Sequence, residues 1–150
     1  MSKPRLCETV TAPKVAELRR RRDEIAGVDL VEMRLDTVAD PDVAGALGKR
    51  RGPVVVTCRA AWEGGHFSGS EDERRRLLAE ALDLGAEWVD VEWRAGFADL
   101  VARDGGRRIV LSHHDFDEVP ADLPEWARAM SATGAAIWKV AARPRSLSDC

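Results

Sequence analysis

The stretch Trp88-Val89-Asp90-Val91-Glu92-Trp93-Arg94 decides the fold. Side chains alternate between faces along a strand, so Val89, Val91 and Trp93 share one face while Asp90, Glu92 and Arg94 share the other. One face is apolar; the other is charged. Upstream, Ser70–Leu84 reads as a helix, opened by the capping-box pair Ser70 and Glu73 and stopped at Gly85. Downstream, Gly96–Ala102 is a second helical pattern, so the strand lies between two helices.

The same grammar runs outward in both directions. Strand patterns occupy Leu6–Val10, Asp29–Leu35, Val54–Arg59, Ile109–His114 and Ile137–Ala141. Helical patterns fill the gaps: Lys14–Ile25 after Pro13, Pro41–Leu47 after Asp40 as N-cap, and Leu123–Ala132 ahead of Gly134. Arg145–Cys150 reads as the start of a sixth helix. Alternating strands and helices predict an α/β fold on a parallel sheet. The arginine runs 19–22 and 74–76 sit on helices, and their plain reading is a solvated face.

Splitting every strand as above gives a second regularity. The second to sixth strands each carry one mainly apolar face and one that turns polar toward the C-terminal end. Helices cover the apolar faces. The other faces collect Glu32, Arg34, Thr57, Arg59, Glu92, Arg94, Ser112, His114 and Lys139. An open doubly wound sheet has helices on both faces and little room for so many charges. A closed barrel gathers them at its mouth, where barrel enzymes keep their active sites. Singly, each residue has a structural explanation: Lys139 as a snorkelling edge residue, His114 as a hydrogen-bonding histidine, Glu32 and Arg34 as a strand-end ion pair. Five strands that are polar on the same face at the same end favour a site.

Composition narrows the classes of partner. The 150 residues suit one domain, and 23 basic against 26 acidic residues give a net charge of −3, with no footprint for nucleic acid or an anionic membrane. No apolar run is long enough to span a membrane, and the N-terminus lacks the apolar core of a secretion signal. Cys7, Cys58 and Cys150 form no CxxC pair, which points to a reducing cytoplasm rather than to zinc or a disulfide framework. No glycine-rich dinucleotide or phosphate loop appears; Gly64-Gly65 is a turn or a lid over the barrel mouth.

The polar faces suggest one chemistry. A desolvated lysine beside Arg34 and Arg59 favours its neutral form, attacks carbonyls and forms an imine. His114 on the neighbouring strand can take a proton from the adjacent carbon, with Glu63 placed to orient its ring. The protonated imine is the electron sink, so no cofactor and no metal is called for. This reasoning reaches a Schiff-base aldolase or dehydratase and stops there.

Four segments go further. Glu32-Met33-Arg34-Leu35-Asp36, Thr57-Cys58-Arg59-Ala60-Ala61-Trp62-Glu63-Gly64-Gly65, Ser112-His113-His114-Asp115-Phe116 and Lys139-Val140-Ala141 resemble, in order, the motifs of type I 3-dehydroquinate dehydratase. The resemblance implies a (β/α)8 TIM-barrel fold and syn dehydration of 3-dehydroquinate to 3-dehydroshikimate, the third step of the shikimate pathway. It makes Lys139 the Schiff-base lysine, His114 the general acid–base and Glu63 the carboxylate that interacts with that histidine. Glu32, Arg34 and Arg59 become substrate-binding residues, with Thr9 a weaker match for a first-strand hydroxyl.

Against an eight-stranded family, residues 1–150 read as one C-terminally incomplete barrel domain with about six of the eight β/α units. The family's carboxylate-binding arginine of the seventh strand and its serine and glutamine near the eighth have no counterpart. The isolated chain is therefore expected to aggregate or oligomerise with little activity. Alternatives are a class I Schiff-base aldolase and an inactive fragment serving as a non-enzyme module. A homodimer of the full-length protein is a further expectation.

Overall fold

In a computed structural model that describes residues 3–147, the expected alternation is present along the chain. Strands β1 (Cys7–Val10), β2 (Leu30–Arg34), β3 (Val54–Thr57), β4 (Trp88–Glu92), β5 (Ile109–Asp115) and β6 (Ile137–Ala142) alternate with helices α1 (Val15–Glu24), α2 (Val43–Leu47), α3 (Glu71–Asp83), α4 (Ala98–Ala102) and α5 (Leu123–Ser131). Two compact units divide the chain inside β4, the first reaching Asp90 and the second starting at Val91.

In the first unit, consecutive strands pair in parallel. Thr9 lies opposite Glu32, Arg34 opposite Thr57, and Thr57 opposite Asp90. Two parallel strands cannot be joined by a tight turn, so each crossover is made by a helix. α3 shows why the sequence supplies one. The Ser70 hydroxyl accepts the Glu73 N–H at 3.2 Å, and the Glu73 carboxylate accepts the Ser70 N–H at 2.7 Å. The reciprocal box satisfies two N–H groups that the first helical turn leaves without partners. Arg74, Leu78, Ala81 and Leu82 then form one buried stripe at helical spacing. Full burial of each leucine contributes roughly 1.5–3 kcal/mol. Gly85, at φ +78°, turns the chain toward β4. Leu18, Met33, Leu35, Val56 and Val89 complete this core, each 0–1% exposed.

In the second unit β5 and β6 run parallel, with Ser112 opposite Lys139 and His114 opposite Ala141. Leu100, Ile109, Leu111 and Met130 form its core. Pro124 in the first turn of α5 has no N–H to leave unsatisfied.

Several expectations need correction. α1 starts at Val15 rather than beside Pro13, because Lys14 is extended (φ −136°, ψ 145°). Asp42, not Asp40, caps α2: its carboxylate accepts the Gly45 N–H at 2.9 Å. Gly96 does not open α4; a 3-10 turn at Trp93–Ala95 intervenes, and Gly96 closes it. The arginine runs are not wholly solvated. Arg22 is buried and donates to the carbonyls of Ala46 (2.5 Å) and Gly48 (3.0 Å) at the C-terminal end of α2. Arg74 is fully buried and donates to the Cys58 carbonyl at 3.2 Å and to Glu71 at 2.7 Å. A charge run on a helix can thus place one guanidinium on carbonyls that would otherwise lack a donor. Trp138, expected on a helix-covered face, is 48% exposed, since no helix follows β6 among the described residues. Residues 148–150, half of the stretch read as the start of a sixth helix, lie outside the described residues.

Candidate active site

In the first unit the polar ends of β1 to β4 assemble three linked groups. Glu32 is the centre of the first. Its two carboxylate oxygens accept the hydroxyls of Thr9 at 2.8 Å and Thr57 at 2.6 Å. One carboxylate is thereby held from three adjacent strands.

Arg34 and Asp36 form the second group. Nε donates to Oδ1 at 2.8 Å and Nη2 to Oδ2 at 2.7 Å, a bidentate fork on a carboxylate with no exposed surface. Oδ2 also accepts the His66 N–H at 3.1 Å, and the carboxylate takes a further backbone hydrogen bond from Arg59. The hydrogen bond to Asp36 and the nearby carboxylates outweigh burial and raise the Arg34 pKa above its ordinary value. Burial pushes the Asp36 carboxyl up, but Arg34 and the two backbone N–H groups reverse this and hold it below the usual range.

The third group surrounds Arg59, which is 3% exposed. It pairs with Asp90 at 2.9 Å and Glu63 at 3.7 Å, both also buried. Alternation on β4 and the Thr57–Asp90 register bring Asp90 here. The loop after β3 is a 3-10 turn at Ala61–Glu63 that folds back at Gly64. Gly65 packs so closely that a Cβ would meet the Arg59 carbonyl oxygen at 2.1 Å. Gly64-Gly65 is therefore a packed turn, with the Gly65 N–H on the Ala60 carbonyl at 2.9 Å.

In the second unit the register places His114 on the same face as Ser112, and Ser112 is the partner of half-buried Lys139. His114 and Lys139 are thus diagonal neighbours, their Cα atoms about 8 Å apart by strand spacing. Phe116 lies nearly parallel to the His114 ring, 6.3 Å between centroids. His113 takes the opposite face. It is 4% exposed, with the Trp126 ring of α5 at 4.9 Å and that of Trp93 at 6.3 Å. Arg94 was expected on the inward polar face with Glu92 but instead lies over Trp126, 5.1 Å from its centroid. The 3-10 turn that begins at Trp93 ends the strand alternation, so Arg94 no longer follows Glu92. Just past the histidines, Asp115 accepts the N–H groups of Asp117 and Glu118, which hold its carboxyl below the ordinary range.

Sequence reasoning singled out Thr9, Glu32, Arg34, Arg59 and Glu63, and each lies in the first unit's polar groups. It did not assign roles to Asp36 or Asp90. The signal for Asp90 was present, since it shares a strand face with Glu92. Asp36 lies past the end of β2, where alternation says nothing. Among the described residues no cluster of three or more His, Cys, Asp or Glu could hold a metal ion, and no helix is long and apolar enough to cross a membrane.

Similarity to known proteins covers both units. The sequence profile of type I 3-dehydroquinase matches residues 6–150. A 3-dehydroquinate dehydratase of Desulfotalea psychrophila is 30% identical over 99% of this chain and 69% of its own. One from Methanothermobacter thermautotrophicus is 38% identical over 93% of this chain and 64% of its own. The chain therefore spans about two thirds of the length of these relatives. A crystal structure of type I 3-dehydroquinate dehydratase from Clostridium difficile, with covalently modified comenic acid, matches 99% of this chain and 66% of its own at a TM-score of 0.80 and 20% identity. That likeness gives the fold: a partial TIM-barrel type, with six strands and five α-helices among the described residues.

Proposed function

The chain belongs to the type I 3-dehydroquinase family, and from that premise we propose that its protein dehydrates 3-dehydroquinate to 3-dehydroshikimate through an imine on Lys139. The observation that carries this reading is the pairing of β5 with β6, which sets Lys139 and His114 on one face of adjacent strands.

The chemistry follows from those two side chains. The Lys139 amine adds to the substrate ketone and water leaves, giving a protonated imine. His114 removes a proton from the carbon beside it. The electron pair moves toward the imine nitrogen and then expels the β-hydroxyl, which departs as water with a proton from His114. Water hydrolyses the imine, releasing the enone product and restoring the lysine. The net change is loss of one water, with no oxidation or reduction. The imine is the electron sink, so the reading requires no cofactor.

The remaining roles follow the resemblance residue by residue. Arg34 and Arg59 supply planar cationic donors for the substrate's oxygens. Glu32 accepts from its hydroxyls, and Thr9, which donates to Glu32 at 2.8 Å, is the weaker match for a first-strand hydroxyl near the substrate. Glu63 is assigned to tuning the catalytic histidine. A match from residue 6 to 150 supports one domain, and three scattered cysteines without a CxxC pair support a cytoplasmic enzyme. A homodimer of the full-length protein belongs to the same reading.

Turnover of 3-dehydroquinate, followed by the absorbance of the conjugated enone, tests the function. Appearance of the enone supports it. Absence of turnover in the full-length protein overturns it.

A further inference from the structure

We infer that Asp36 is a positioning residue that holds Arg34 and the loop after β3 in register for substrate binding. The inference rests on the reading of Arg34 as a substrate-binding residue.

Three observations converge on this carboxylate. It grips Arg34 through two hydrogen bonds of 2.8 and 2.7 Å, the geometry that fixes the plane of a guanidinium. It accepts the His66 N–H at 3.1 Å and a backbone hydrogen bond from Arg59. Its side chain has no exposed surface, whereas that of Arg34 is 22% exposed. Asp36 therefore reaches the end of β2, the end of β3 and the loop that follows β3, and is itself sealed from solvent. An arginine bound only at its stem would sample many rotamers, and fixing them at the moment of binding costs affinity. A sealed carboxylate removes that freedom beforehand.

A group that orders a binding residue acts on ground state and transition state alike. Its loss therefore raises KM and leaves kcat nearly unchanged. This separates Asp36 from a residue in the chemical step, and also from one that only stabilises the fold, whose loss changes the folded fraction but not KM.

The test uses D36N, D36E, R34K and the double variant R34K/D36N in the full-length protein. KM and kcat are measured for 3-dehydroquinate, with thermal unfolding recorded for each. D36E keeps the charge while displacing the fork by one methylene, so it serves if D36N does not fold. The expected result is a KM at least tenfold higher in D36N or D36E with kcat within threefold. The double variant should have a KM no more than twofold above R34K alone, because Asp36 acts through Arg34. A KM within twofold of wild type in a folded Asp36 variant would overturn the inference, as would a fully multiplicative double variant.

A second readout is independent of turnover. In the nuclear magnetic resonance spectrum, the Arg34 Nε–H signal, assigned by its loss in R34K, should resist solvent exchange in wild type and exchange faster in D36N or D36E. If the wild-type protein leaves 3-dehydroquinate untouched, the functional reading fails, and this signal alone decides whether Asp36 holds Arg34. Unchanged exchange in the Asp36 variants overturns the positioning role whatever the activity.

Discussion

Replacing Asp90 with asparagine should be among the most damaging single changes in the first unit. The pair it breaks is buried on both sides: Arg59 and Asp90 side chains are 4% and 2% exposed and lie 2.9 Å apart. Asparagine is nearly isosteric, so packing is kept and the loss is electrostatic. Removing one member of a buried pair leaves the other charge desolvated and costs about 3–5 kcal/mol. Glu63, 3.7 Å from Arg59, is a less direct partner and offsets only part of this. At about 2–4 °C per kcal/mol for a chain of this size, Tm should fall by about 6–20 °C. Arg20–Glu24 supplies the control. Both of its side chains are 59% exposed, so Glu24→Gln should cost no more than about 0.5 kcal/mol. Thermal unfolding followed by circular dichroism reads both variants. A second comparison sharpens the cause: Arg59→Met with Glu63→Met and Asp90→Leu removes all three charges of the cluster and should be less destabilised than Asp90→Asn alone. A Tm shift for Asp90→Asn no larger than that of Glu24→Gln would refute the reasoning.

Other expectations follow from the same structure. His114→Ala should lower turnover at least about 100-fold with little change in Tm. His113→Ala, which empties a site between Trp93 and Trp126, should cost about 2–4 kcal/mol of stability with a much smaller effect on turnover per folded molecule. Equal turnover losses would mean the β5 register is wrong. Gly65→Ala sets a Cβ 2.1 Å from the Arg59 carbonyl oxygen and should cost at least about 1–3 kcal/mol, whereas Gly52→Ala, with open space around it, should be neutral in thermal unfolding. Asp36 has a folded-state pKa below its unfolded value of 3.8. Its contribution to stability is thus complete above that value and is lost as pH falls through the folded pKa. Urea midpoints measured from pH 5 downward should therefore drop more steeply in wild type than in Asp36→Asn; superimposable acid limbs would contradict this.

The elements were legible because their signals are local. The Ser70–Glu73 box and the turn at Gly85 each concern neighbours a few residues apart and appear in the structure where the sequence put them, as does the alternation in β4 as far as Glu92. What escaped the sequence depends on where strands end. Alternation placed His113 and His114 on opposite faces correctly because β5 continues past both. It failed for Arg94 because the chain enters a 3-10 turn at Trp93, and nothing in Trp93-Arg94-Ala95 announces that. Asp36 escaped for the same reason, lying in a 3-10 turn beyond β2. Arg22 and Arg74 escaped differently. Their burial depends on carbonyls contributed by α2 and by the end of β3, at separations of 16 to 26 residues. A run of like charges does not reveal which member turns inward. Strand chemistry suggested an imine on Lys139 and proton transfer by His114 but left an aldolase and a dehydratase open; the motif resemblance pointed to the dehydratase.

The central claim is that Lys139 forms a covalent imine with the substrate ketone. Borohydride reduces such an imine to a stable amine. Treating the full-length protein with 3-dehydroquinate and borohydride, followed by peptide mass spectrometry, should find the reduced adduct on the peptide containing Lys139 and nowhere in a Lys139→Ala variant. An adduct that persists in that variant, or an active wild-type protein that yields none, would contradict the account.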